Sequence, residues 1–128
     1  MTLVINAELA CFQCIEMAVF DASTLSGTYQ AMNTATQQAD TGSTGFQAPI
    51  KILKVYNDGS TGVTFSFDGV VKHDYLPSKG TMIIDLQTNH SDGSTSGTGT
   101  LNGRQGQLVY GKGTASSAGL NIYISGYR

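Results

Sequence analysis

Apolar residues in this chain recur at every second position, in short runs, and almost nowhere at helical spacing. The cleanest run is Val63-Thr-Phe-Ser-Phe67. Period two predicts a strand with Val63, Phe65 and Phe67 facing a core and Thr64 and Ser66 facing out. Ile50–Asn57, behind Pro49, is a second β-branched run. Between them, Asn57-Asp-Gly-Ser-Thr-Gly62 supplies residues tolerant of positive φ. The two runs are therefore predicted to pair as a hairpin. Asp68-Gly69 is a further turn, and Val70–Leu76 is a shorter run that Pro77 ends. After the Ser78-Lys-Gly80 turn, Thr81–Leu86 alternates with Met82, Ile84 and Leu86 on one side.

Outside this central stretch, Cys14–Phe20 puts Ile15, Met17 and Val19 on one face of a strand. Leu3, Val4 and Ile5 suit a short strand in an otherwise ambiguous beginning, and Thr28–Asn33 is another short strand. Gln107–Tyr110 and Leu120–Ser125 read as a closing pair, joined by residues 111–119. Two polar stretches, 34–48 and 89–106, carry glycines without apolar periodicity and read as loops. No capping residue precedes an apolar run at helical spacing. The pattern predicts an all-β fold, a β-sandwich or jelly roll of seven to eight short antiparallel strands with long polar loops. Residues 1–13 are expected to form an arm or edge strand, and 14–128 a single domain. The 128 residues suffice to bury a core without metals or disulfides.

Composition changes that picture in one respect. Charged residues make up only 12%, against roughly 25% in ordinary domains, while glycines number 16. A surface this poor in charge fits a protein covered by copies or partners, and it equally fits loops rich in Ser, Thr and Gly. The net charge of -2 leaves no electrostatic footprint for nucleic acid. No apolar run approaches a membrane span. The start of the chain lacks a basic residue before its apolar stretch, and Glu8 interrupts that stretch. A chain made in a cytosol, without an export signal, is expected.

Candidate chemistry is sparse. Cys11 and Cys14 form a lone CxxC, whereas a structural zinc site needs four ligands; His73 and His90 are far off in sequence. His73-Asp74 is the only His–carboxylate neighbour pair, but adjacent strand residues point to opposite faces. Ser66 has no neighbouring base and no nucleophile elbow. Asp58, Asp68, Asp74, Asp85 and Asp92 lie at turns and strand ends without the density of a calcium loop. Gly111-Lys-Gly-Thr114 has the wrong order for a phosphate loop. No catalytic, cofactor-binding or metal-binding residue is assigned, and an enzyme is not expected.

One resemblance goes further than the residues taken singly. Leu25-Ser-Gly-Thr-Tyr-Gln30, Ile50–Asn57, Phe65-Ser-Phe-Asp-Gly69, His73-Asp-Tyr-Leu-Pro77 and Asp85-Leu-Gln-Thr-Asn89 occur in order. Gly111-Lys-Gly-Thr114 and Ile122-Tyr-Ile-Ser-Gly126 follow. This series resembles small virion structural proteins of tailed bacteriophages, over residues 20–90 and again over 107–127. It implies a β-rich, non-enzymatic chain located in the virion and assembled in the host cytoplasm. The neck, collar or head–tail connector is the implied place, with capsid decoration as the alternative. Its partners would be copies of itself and other virion proteins, with neither nucleic acid nor membrane. The contacts are expected on the two long loops and on the amino-terminal arm. A β-sandwich module that binds a carbohydrate or a receptor is the competing expectation, with Tyr75 and Tyr110 as its test residues.

Overall fold

The computed structural model of the chain describes residues 14–39, 41–85 and 104–127. They form eight strands: β1 (Cys14–Asp21), β2 (Gln30–Ala31), β3 (Ile52–Asn57), β4 (Val63–Ser66), β5 (Asp74–Leu76), β6 (Thr81–Asp85), β7 (Tyr110–Gly113) and β8 (Asn121–Tyr127). A single 3-10 turn at Ala22–Thr24 is the only helical piece among these residues. Asp21 caps it by accepting from the Ser23 amide at 3.0 Å.

The strands make two four-stranded antiparallel sheets, ordered β1-β8-β3-β6 and β2-β7-β4-β5. This is the all-β sandwich expected from the alternation. Between the sheets lies one core, which includes Phe20, Phe46, Leu53, Val55, Val63, Phe65, Ile122 and Ile124. Strand β3 shows the rule plainly, with Leu53, Val55 and Asn57 buried while Ile52, Lys54 and Tyr56 are half-exposed. Val63 and Phe65 point inward as expected, and Phe67 packs partly against the core.

Pairing is where expectation and structure part. Strands β3 and β4 do not form a hairpin. β3 pairs with β8 and β6 in one sheet, and β4 with β7 and β5 in the other. The physical cause sits at the end of β3. The Asn57 side chain turns into the core, and its Nδ2 donates to Thr61 O at 2.9 Å, Pro77 O at 3.2 Å and Leu76 O at 3.4 Å. Its Oδ1 accepts from Gly59 N at 2.9 Å. These bonds carry the chain across from one sheet to the other. The loop that follows is held there by Ser116 Oγ, which accepts from Ser60 N at 2.7 Å. Among the described strands, the one consecutive pair is β4–β5, whose connection runs from Phe67 to His73. The closing pair is likewise divided, β7 lying in one sheet and β8 in the other. β7 also lies later than expected, over Tyr110–Gly113.

Strand β1 is present, but its buried side is the one that carries Glu16, Ala18 and Phe20, while Met17 and Val19 face out. The Glu16 carboxylate sits opposite Gly126, where no side chain competes for space, and accepts from Ala48 N at 3.0 Å. The polar loop 34–48 is folded onto the sandwich. Phe46 is buried, and the buried Gln38 donates to the carbonyls of Asn33, Ser43 and Gly45. The loop expected to offer contacts thus spends its central side chains inside. The expected strand at Leu3–Ile5, the amino-terminal arm, Leu86 and the stretch 86–103 lie outside the described residues.

Candidate functional site

The outer face of the β1-β8-β3-β6 sheet is built by the residues that period two turns away from the core. Register sets them in rows. Val19, Tyr123, Tyr56 and Thr81 stand side by side across the four strands. Met17, Ser125, Lys54 and Ile83 form the next row. Tyr127, Ile52 and Asp85 form the third. Small Ser125 lies between Tyr123 and Tyr127 along β8, so the face is hollow over it. The hollow measures about 310 Å³ and is walled by Met17, Lys54, Tyr56 and the two β8 tyrosines. A second groove of about 250 Å³ adjoins it, lined by Ile52, Lys54, Ile83 and Tyr127.

Two of these tyrosines are held by contacts of their own. Tyr56 and Tyr123 stack with ring centroids 6.2 Å apart and planes 13° from parallel. The Tyr56 hydroxyl donates to Asp58 Oδ1 at 3.1 Å, which raises the tyrosine above its ordinary value of 10.0. Lys79 Nζ reaches the same carboxylate oxygen at 2.8 Å and, with Tyr56, holds Asp58 below the usual carboxylate range. Ile83 is 65% exposed and Met17 42%. The face therefore combines fixed aromatic rings, exposed aliphatic groups and the ammonium of Lys54. Chemically it is suited to adsorbing another surface.

The residues singled out in the sequence fall elsewhere. Ser66, Asp68 and His73 do meet at one turn, but in a structural order. Ser66 Oγ donates to Asp68 Oδ1 at 2.8 Å, and that oxygen also accepts from Val70 N at 2.8 Å and Val71 N at 3.0 Å. The Val71 and Val70 amides, then the Ser66 hydroxyl, hold the Asp68 carboxyl down at about 2. His73 Nδ1 accepts the Phe67 amide proton at 3.0 Å, and its ring stacks on Phe67 with centroids 5.4 Å apart. No Ser66–His73 hydrogen bond is among the described contacts, so the nucleophile–base pairing of a triad is not formed there. Asp74 accepts from the Tyr75 amide at 2.7 Å.

Among the described residues, no group of three or more His, Cys, Asp or Glu is placed to hold a metal ion. Cys11, Asp92 and the side chain of Cys14 lie outside the described residues. Gly111-Lys-Gly-Thr114 belongs to β7 and its end, where the Lys112 ammonium stands 4.6 Å from the centre of the Tyr29 ring. Tyr75 and Tyr110 are on the other sheet, where Tyr110 packs against Gly69. Sequence reasoning passed over Tyr56, Tyr123 and Tyr127. The signal was present: β3 and β8 carry bulky residues on both faces, and a strand with only one covered face would not need them. No known protein family, curated protein or solved structure matches the chain.

Proposed function

We propose that this chain is a non-catalytic structural subunit that works by associating with copies of itself. The assembly we assign it to is a tailed-phage particle, at the neck or collar between head and tail, with capsid decoration as the other position. The resemblance over residues 20–90 supports the phage assignment. The observation that carries self-association is the outer face of the β1-β8-β3-β6 sheet, where Met17, Val19 and Ile83 are exposed beside three tyrosines. Contiguous apolar surface of this kind marks interaction sites more often than it marks the surface of a monomer. Covering Ile83 and Met17 would stabilise a contact by about 1–2 kcal/mol each. With only 12% charged residues, crowded copies would repel one another weakly.

Sedimentation across a hundredfold concentration range tests the first part: a multimer is expected, and a monomer throughout would refute it. Mass spectrometry of purified particles from cells carrying the gene tests the second. Many copies per particle are expected; absence from particles removes the phage assignment.

The tyrosine trio favours one other reading, a platform for a carbohydrate or glycosylated receptor, since sugars stack on fixed rings. A glycan array separates the two. Saturable binding lost in Tyr123→Ala, and unaffected in Tyr75→Ala and Tyr110→Ala, would favour the platform over self-association.

A further inference from the structure

The connection between β4 and β5 does something unusual for a loop: it holds two aliphatic side chains out in water. Val70 is 77% exposed and Val71 53%. The tip is rigid. Asp68 accepts from the backbone amides of both valines, Ser66 Oγ accepts from Gly69 N at 2.9 Å, and His73 closes the base through Phe67. Gly69 sits at φ +79°, where a side chain is rarely tolerated, with the Tyr110 ring packed beneath it. This bonding pins an open tip and does nothing to tuck the valines in.

We propose that the Val70–Val71 tip of one copy seats in the groove lined by Ile52, Lys54, Ile83 and Tyr127 on the next copy, in a head-to-tail contact. This rests on the self-association reading and names the occupant of that face. Three observations carry it. The groove is walled by aliphatic and aromatic carbon with the Lys54 stem, and at about 250 Å³ it is open to β-branched side chains. The charges are complementary: Lys54 lines the groove with no ion pair among the described residues, the neighbouring Asp85 opposite Ile52 is itself engaged in a contact, and the tip carries Asp68 and Asp74 against the single Lys72. Topology forbids the contact within one molecule, because the tip belongs to the β2-β7-β4-β5 sheet and the groove faces away from it, across the core. A preformed tip loses little freedom on docking. One patch meeting a different patch builds a ring or a filament; it does not build a two-fold dimer.

Complementation tests this. The Val70→Asp/Val71→Asp variant loses the tip but keeps the groove; Ile83→Asp loses the groove but keeps the tip. Each alone should self-associate at least about 100-fold more weakly than the wild type, the loss expected from two unburied valines. Mixed in equal amounts, they should form a heterodimer and nothing larger, since one intact contact remains per pair. Both sites are exposed, so circular dichroism of each variant should match the wild type. The uncharged Val70→Ser/Val71→Ser variant should weaken assembly in the same direction. A tip variant that assembles like the wild type, while Ile83→Asp does not, overturns this inference and leaves self-association standing. A mixture that stays monomeric also overturns it. A wild type that is monomeric at every concentration removes both.

Discussion

Asn57→Asp is the sharpest test of how this sandwich is joined. Both residues are good turn formers. If position 57 only helped the chain to turn, the exchange would be nearly neutral. The structure gives the side chain a different task. Its Nδ2 faces three carbonyl oxygens, those of Thr61 at 2.9 Å, Pro77 at 3.2 Å and Leu76 at 3.4 Å, and the residue is fully buried. Two amide hydrogens serve at most two of these well, so the exchange removes about two hydrogen bonds, each worth roughly 1 kcal/mol. It also points an ionised carboxylate at the same oxygens in a site closed to water, which adds a penalty of several kcal/mol unless the group protonates. The acceptor for Gly59 N, now at 2.9 Å, is kept. We expect a loss of about 3 kcal/mol or more at neutral pH, read from urea denaturation with an unchanged slope. The introduced carboxyl should have a folded pKa above its unfolded one. Its destabilisation is then greatest at high pH and shrinks as the pH falls and the group protonates. A loss under about 1 kcal/mol at pH 7, or one that stays the same at about pH 4, would refute the cross-sheet role.

Two further substitutions probe other parts of the fold. Gly126→Ala would place a Cβ 2.7 Å from Ile50 Cγ2 and 3.0 Å from Phe46 Cε1; overpacking of this kind costs about 1–3 kcal/mol, and an unchanged thermal midpoint would contradict the packing. Asp68 is held at about 2 from an ordinary value of 3.8, so its contribution is present above the unfolded value and lost as the pH falls from about 4 towards 2. Asp68→Asn should flatten that part of the acid-unfolding curve, and a curve identical to the wild type would contradict it.

Strand identity was legible because alternation is a local property. Val63, Phe65, Met82 and Ile84 declare an inner side whichever strands lie next to them. The absence of helical spacing was equally plain, and it pointed to the all-β body that the structure has. Partners were not legible. In a sandwich every strand offers the same apolar inner side, so the pattern of β3 and β4 fits a shared sheet as well as opposite sheets. The buried Asn57 amide, satisfied by the carbonyls of Thr61, Leu76 and Pro77, and the Ser60–Ser116 bond hold the chain in the crossing between sheets. The inner side of β1 was undecided for a similar reason. Met17 and Val19 compete with Ala18 and Phe20, and the space opposite Gly126 lets Glu16 go inside.

The outer face of the β1-β8-β3-β6 sheet follows the same division. Its residues stand in the sequence as Ile52, Tyr56, Ile83, Tyr123 and Tyr127, scattered over three strands. Their gathering on one face, around the hollow and the adjoining groove, depends on β8 lying between β1 and β3, and on register setting Ser125 opposite Lys54 and Tyr123 opposite Tyr56. The alternation along each strand, set by backbone geometry, was therefore readable residue by residue. Adjacency between strands arises from long-range hydrogen bonds and shared burial, and it exists only once the chain has folded.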